Sequence, residues 1–245
     1  MADDRVPDDP AGVPRRRWLL DEKASAGREN LDPDHIARYD DKEDADAEAE
    51  VRLLATRGLG RESVVVDLGA GTGQFTLAAA PMCSRVIAVD ISPVMLQLLA
   101  SKVRTQGLSN VELVNAGFLT YVHEGPPADV VYTRFALHHL PDFWKAVALD
   151  RVHGLLRSGG VLRLLDVVYS FELGAAEELI EAWCSTGGPD MESGWARDEL
   201  EEHVRTEHST FSWLLEPMLA RTGFEVEDVA YSADGILARY VARAT

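Results

Sequence analysis

Residues Val64-Val65-Val66-Asp67-Leu68 run straight into Gly69-Ala70-Gly71-Thr72-Gly73, and a helical pattern follows. Such a junction restricts the fold more than any other stretch of the chain. Glycine lets the backbone turn sharply and lets a ligand approach the main chain without meeting a Cβ. The helix beyond offers N–H groups that have no partner inside the helix. Three glycines at a strand–helix junction are costly without a ligand, so the loop reads as a nucleotide-type site and not as a tight turn alone. The dinucleotide fingerprint needs the spacing G-x-G-x-x-G. Here the glycines fall at 69, 71 and 73, and position 74 is Gln, which disfavours a dinucleotide-dependent oxidoreductase.

The pattern around the loop indicates the fold class. Apolar runs at 64–67, 86–90, 111–114, 129–132 and 161–168 alternate with helical patterns near 74–80, 93–106 and 141–156. Strands buried on both faces read as continuous apolar runs, and helical crossovers make neighbouring strands parallel. This is an α/β, Rossmann-like doubly wound sheet. Its end differs. Residues 172–185 and 195–222 look helical, with Pro217 expected to kink or restart the last helix. Phe224–Tyr231 and Ile236–Arg243 then form two strands around Ser232–Gly235, a loop short enough for an antiparallel hairpin. Residues 1–30 are polar, carry Pro7, Pro10 and Pro14, and read as a mobile leader. Asp32-Pro33-Asp34 starts a helix that runs to about Arg57 and stops at Gly58. The expected organisation is one domain over 31–245, with extra helices at 31–57 and 172–222.

Composition narrows the partners. The 245 residues suit one large α/β domain. Lys and Arg number 24 against 41 Asp and Glu, a formal charge of −17. That field repels phosphate backbones and anionic lipids, so neither nucleic acid nor membrane is an expected partner. The basic run Arg15-Arg16-Arg17 reads as a solvated tail. Met1–Pro10 is acidic without an apolar stretch, and no apolar run is long enough to cross a bilayer, so the expected location is cytoplasmic. Cys83 and Cys184 make no CxxC pair and read as small buried apolar residues.

Four segments in order carry a resemblance. Val66–Gly73 is followed by Val86-Ile87-Ala88-Val89-Asp90-Ile91-Ser92-Pro93. Then come Ala128–Tyr132 with Leu137-His138-His139-Leu140-Pro141, and last Leu155–Leu162 around Ser158-Gly159-Gly160. Over roughly residues 60–170 the chain resembles class I S-adenosylmethionine-dependent methyltransferases of the small-molecule type. The resemblance implies that Gly69, Ala70, Gly71 and Gly73 wrap the methionine part of the cofactor. Asp67 braces the loop and approaches the cofactor ammonium. Asp90 accepts from both ribose hydroxyls, a role suited to a carboxylate with two acceptor oxygens; it can also cap the next helix with Ser92. Ile91 and Met95 pack on the adenine, and Phe118 and Arg134 border the cofactor. One position departs from the pattern. The family often carries Asp at the place of Gly117, where it accepts from the adenine amino group. Here main-chain groups near Gly117-Phe118, or another side chain, must do so.

Methyl transfer is an in-line displacement with a neutral leaving group. The protein therefore mainly positions the acceptor and removes its proton where needed. His139, and second to it His138, follow the fourth strand and are the base candidates; their alternative is bracing the loop. Asp166, Tyr169 and Tyr39 are candidate acceptor-facing groups. His203 and Glu207 share a helix face near His208, but a solvated face is favoured over a metal site, and no metal is expected. The segment Val131–Phe135 lacks the Asn/Asp-Pro-Pro-aromatic motif of methylases acting on base amino groups, and no Pro-Cys nucleophile follows it. The extra helices, with Trp18, Trp183, Trp195, Phe211 and Trp213, are expected to roof a pocket for a small organic acceptor. Two alternatives keep the cofactor. One is a different sulfonium chemistry and the other is a non-catalytic regulator.

Overall fold

The computed structural model describes residues 18–25, 46–188 and 195–245. Strand β1 (Val64–Leu68) is buried along its whole length, because a run of apolar side chains without alternation must be covered on both faces. Around it lie β2 (Arg85–Asp90), β3 (Val111–Asn115), β4 (Ala128–Arg134) and β5 (Leu156–Tyr169), followed by the hairpin β7 (Phe224–Tyr231) and β8 (Leu237–Ala244). The strand order is β3-β2-β1-β4-β5-β8-β7, and a short β6 (Thr210–Phe211) pairs with the end of β5. Strands β1 to β5 are parallel. The β8 strand runs antiparallel to both β5 and β7. The doubly wound sheet finished by an antiparallel hairpin is therefore present.

Alternate residues of β1 feed opposite layers. Val66 and Leu68 pack toward α5 (Asp142–Leu155) and α8 (Ser212–Arg221), beside Leu149, Val152, Leu215 and Leu219. Val65 packs toward α2 (Ala47–Thr56) and α3 (Gln74–Ala79), beside Val51, Leu54 and Phe75. On that second face Glu50 of α2 grips Arg163 of β5 with two bonds of 2.6 and 2.9 Å. The pair is buried, so losing either partner strands a charge and costs about 3–5 kcal/mol. Helix α4 (Pro93–Gln106) covers the β2–β3 end through Leu99 and Val103. Among the described residues no helix is long and apolar enough to cross a membrane.

Three expectations change. The leader contains a docked piece. Trp18 stacks on Trp144 at 6.1 Å, Leu19 and Leu20 pack on the main core, and α1 (Glu22–Ser25) follows. Leu19 and Leu20, both half-buried, carry that docking by removing apolar surface from water, while Trp18 stays largely exposed. The helical stretch 195–222 is two helices, α7 (Arg197–Thr206) and α8, parted by an extended segment that lays Thr210 and Phe211 on Val168 and Tyr169. Ser209 and Thr210, whose hydroxyls compete with helical bonding, mark that break. Pro217 neither ends nor restarts a helix, because α8 runs through it from Ser212 to Arg221. The helix forfeits only the bond Pro217 cannot donate to the turn of Trp213, which is exposed and open to water. Helix α6 (Ala176–Cys184) completes the insertion. Of the first long helix only α2 is described; Asp32–Asp34 and Tyr39 lie outside the described residues.

Candidate active site

The carboxyl ends of β1, β2, β3 and β4 meet where the strand order reverses, the place where open α/β sheets bind ligands. An open cleft of about 620 Å³, solvent at its mouth included, lies there. Its floor is the glycine loop. Gly69, Gly71 and Gly73 have φ of 74°, 54° and 87°, the left-handed region that favours glycine. A Cβ on Gly69 would strike Ala136 and one on Gly73 would strike Leu99, whereas one on Gly71 would meet nothing within 4 Å. Two of the glycines thus serve packing, and Gly71 faces open space. Asp90 closes the corner, its Oδ2 accepting from Gly71 N at 2.8 Å and its Oδ1 from Ser92 N at 2.7 Å. Ser92 itself caps α4, accepting from Met95 N. A carboxylate offers about four lone-pair sites, so Asp90 keeps two for a ligand. Burial pushes its carboxyl up, against the pull of the Ser92 and Gly71 amides.

Ile91, Met95, Gly117, Phe118, Arg134 and His139 also line the cleft, as the sequence reading expected. Asp67, Ala70 and Gly73 do not; they lie behind it. Asp67 accepts from Thr76 Oγ1 at 2.6 Å and holds the loop from below. Burial pushes its carboxyl up to about 7, with the Thr76 bond opposing and the charge of Asp90 adding to it.

Glu22 is a lining residue that the sequence reading missed. It reaches in from α1, and its Oε2 accepts from Leu119 N at 3.0 Å and Thr120 Oγ1 at 3.4 Å. A Cβ on Gly117 would lie 2.5 Å from the Glu22 carboxyl carbon. The carboxylate of Glu22 therefore fills the space that a short acidic side chain at position 117 would take. Burial pushes it up to about 6 despite the Leu119 bond. The available signal was the apolar triplet beside it, with Asp21 Oδ1 accepting from Lys23 N and Ala24 N at the helix start.

Beyond His139 the cleft borders a buried polar cluster. His138 and His139 sit in the single turn Leu137–His139 after β4. His138 Nδ1 meets Asp166 Oδ1, and Asp166 Oδ2 accepts from His138 N at 3.0 Å. His138 Nε2 and His139 Nδ1 each lie 2.9 Å from Glu207 Oε2. His203 Nδ1 lies 3.7 Å from the same oxygen, and His203 Nε2 is 2.8 Å from Ser209 Oγ. The face of His203 and Glu207, expected to be solvated, is turned inward. The turn is held by Lys145, whose Nζ donates to Leu140 O at 2.7 Å and to His208 O, and by His208 N donating to His138 O. Burial pushes His138 down, but Asp166 and Glu207 outweigh it and hold the imidazole up at about 10. Burial raises Glu207, but His138 and His139 outweigh it and hold the carboxyl well below its ordinary value. Burial and the neighbouring His138 push His203 down to about 4.

A family model described as a methyltransferase domain matches residues 65–160, the span that holds the glycine loop, Asp90 and the histidine pair. An uncharacterized methyltransferase of Anoxybacillus flavithermus is 28% identical over 164 residues, 67% of this chain and 70% of the relative. The chain carries a methyltransferase domain with the fold of class I S-adenosylmethionine-dependent methyltransferases. A demethylmenaquinone methyltransferase of Staphylococcus aureus is 29% identical over 118 residues, 47% of each chain. Among solved structures, an S-adenosylmethionine-dependent methyltransferase from Clostridium acetobutylicum superposes with a TM-score of 0.65 at 15% identity, covering 86% of this chain and 98% of that one.

The methyltransferase brings its predicted residues together unevenly. Of the residues expected on the cofactor side, all but Asp67, Ala70 and Gly73 line one cleft, and His139 joins them. His138 and Asp166 are buried behind His139 and bonded to each other, so Asp166 does not face an acceptor. Tyr169 packs between Phe171 and Phe211, at ring distances of 5.3 and 5.6 Å, away from the cleft lining. His138 thus claims Asp166, and the aromatic pair claims Tyr169 where β6 runs alongside the end of β5.

Proposed function

We propose that this methyltransferase passes the cofactor methyl to a small organic acceptor seated beside His139. The observation that carries the reading is the placement of His139. It lines the same cleft as Gly71 and Asp90, and Glu207 holds its Nδ1 from behind. The bound cofactor supplies an electrophilic methyl on sulfur, with a neutral leaving group. The chain's own part is to bind, orient and take a proton.

The cleft fits S-adenosylmethionine. Gly71 opens its main chain to the ligand, and Asp90 has acceptor sites left for two ribose hydroxyls. Ile91 and Met95 form an apolar wall for the adenine, and Glu22 offers the carboxylate that position 117 lacks. Asp67, under the loop, gives the cofactor ammonium an acidic neighbour. Arg134 borders the far edge. On the acceptor side, Glu207 fixes the His139 ring by one nitrogen, and the other takes the acceptor's proton as the carbon–heteroatom or carbon–carbon bond forms. A ring held in place contributes mostly through orientation and proton removal.

Size and charge favour a small acceptor. The helices α6 and α7 stand over the ends of β4 and β5 with Trp183 against His203 at 5.4 Å, and the charge of −17 opposes a nucleic acid. Product analysis with a panel of small hydroxy, amino and activated-carbon acceptors tests the reading. S-adenosylhomocysteine with a methylated acceptor is the expected outcome. Methylthioadenosine, or tight cofactor binding with no turnover on any acceptor, overturns it.

A further inference from the structure

The buried cluster behind His139 has a chemistry that proton removal does not use. His138 Nε2, His203 Nδ1 and Glu207 Oε2 lie within 4.8 Å of one another. They come from two places far apart in sequence, the turn after β4 and the end of α7. The i, i+4 spacing of His203 and Glu207 puts both on one helix face, and that face is pressed onto His138. Each imidazole has its other nitrogen already engaged, His138 Nδ1 with Asp166 and His203 Nε2 with Ser209. That leaves two imidazole nitrogens and one carboxylate oxygen grouped within 4.8 Å of one another. Outer partners that orient imidazoles in this way are a general feature of metal-ligating histidines.

We propose that His138, His203 and Glu207 bind a divalent transition-metal ion that pins α7 to the end of β4. The distances from Glu207 Oε2, 2.9 Å to His138 and 3.7 Å to His203, bracket the roughly 3.4 Å edge of a tetrahedron with metal–ligand bonds near 2.1 Å. Two imidazoles and one carboxylate suit zinc, iron(II) or cobalt(II), whereas magnesium and calcium prefer oxygen ligands throughout. The three ligand side chains are only 7, 16 and 11% exposed, so the ion is enclosed. A fourth ligand is left for water. His139 is not a ligand. Its Nδ1 lies 2.9 Å from the same Glu207 oxygen, so the ion sets the orientation of His139 through that carboxylate and acts on the reaction as a positioning element.

The site goes beyond the methyl-transfer reading and stands or falls separately from it, because its test reads metal and not turnover. The full chain, prepared without a metal-affinity step, is stripped with a chelator and titrated with cobalt(II). One equivalent should bind and give visible ligand-field bands, and the melting temperature should rise with added metal because the assembled site exists only in the native state. X-ray absorption of the cobalt or zinc form should show two imidazoles with oxygen ligands. Asp166→Asn should weaken the affinity by about 10- to 100-fold through loss of the outer partner, and His203→Ala and Glu207→Gln should weaken it by more. The proposal is overturned if the folded wild-type chain takes up no cobalt, zinc or iron at millimolar metal. It is equally overturned if absorption shows sulfur or all-oxygen ligands, or if folded His203→Ala binds like wild type. Should the variants fail to fold, the wild-type titration and absorption spectrum decide alone.

Discussion

On one side of the cleft, binding groups come from three short strand ends between Gly69 and Phe118, and much of what they offer is main chain. On the other side, His138, Asp166, His203 and Glu207 come from three segments, the turn after β4, β5 and the end of α7, and what they offer is mostly side chain. The first side stands on parallel strands whose register is closed by the sheet. The second stands on a helical insertion that must dock before its carboxylate meets the histidines. Substitutions on the cofactor side should therefore act locally on affinity. Substitutions on the histidine side should act on turnover and on the seating of α7, and leave the cofactor where it is.

The strongest way to break this contrast is Gly71→Val. The residue is in the left-handed region and faces the open cleft, so a branched side chain both strains the loop and blocks the ligand. Calorimetry should detect no S-adenosylmethionine binding by the folded variant; full binding would mean that the loop is only a turn. Next in size is His139→Ala, expected to lower turnover by about 10²- to 10⁴-fold with cofactor affinity near that of wild type. A parallel loss of affinity would move His139 to the cofactor side and erase the division. Asp90→Ala should weaken cofactor binding by about 1–3 kcal/mol, the worth of its charge-assisted bonds, and unchanged affinity would remove the ribose assignment.

A pH titration sharpens the cofactor side further. The Asp67 carboxyl stands at about 7 in the free protein, and a nearby ammonium favours its ionised form. Affinity should be full above that pH and fall by up to about tenfold per unit as pH drops below it. For folding the sign is the reverse. The raised value stabilises the chain below the ordinary aspartate range, and that stability is lost as pH rises through about 7. Asp67→Asn should therefore raise the melting temperature at alkaline pH and flatten the pH profile of cofactor binding. The smallest expected effect is that of Glu22→Ala, about 1 kcal/mol of cofactor affinity. Its restoration by a second change, Gly117→Asp, would show that one carboxylate stands in for the other. Gly117→Asp alone should be worse than either, because its Cβ meets Glu22.

How far each side could be read beforehand follows from the same contrast. The glycine loop, Asp90 and the strands themselves are local matters. Uninterrupted apolar runs require strands covered on both faces, and three glycines at a strand end permit one kind of loop. The sequence alone therefore determined the sheet, its antiparallel finish and the floor of the cleft. The division of residues 195–222, the docking of Trp18–Glu22 and the inward turn of His203 and Glu207 were decided only by the tertiary structure. A helical pattern shows which residues share a face and not what that face meets. Glu22 and Leu119 are 97 positions apart, and nothing local at either position specifies the bond between them. Packing decides such contacts, because a polar side chain can be buried only where the rest of the fold brings it a partner.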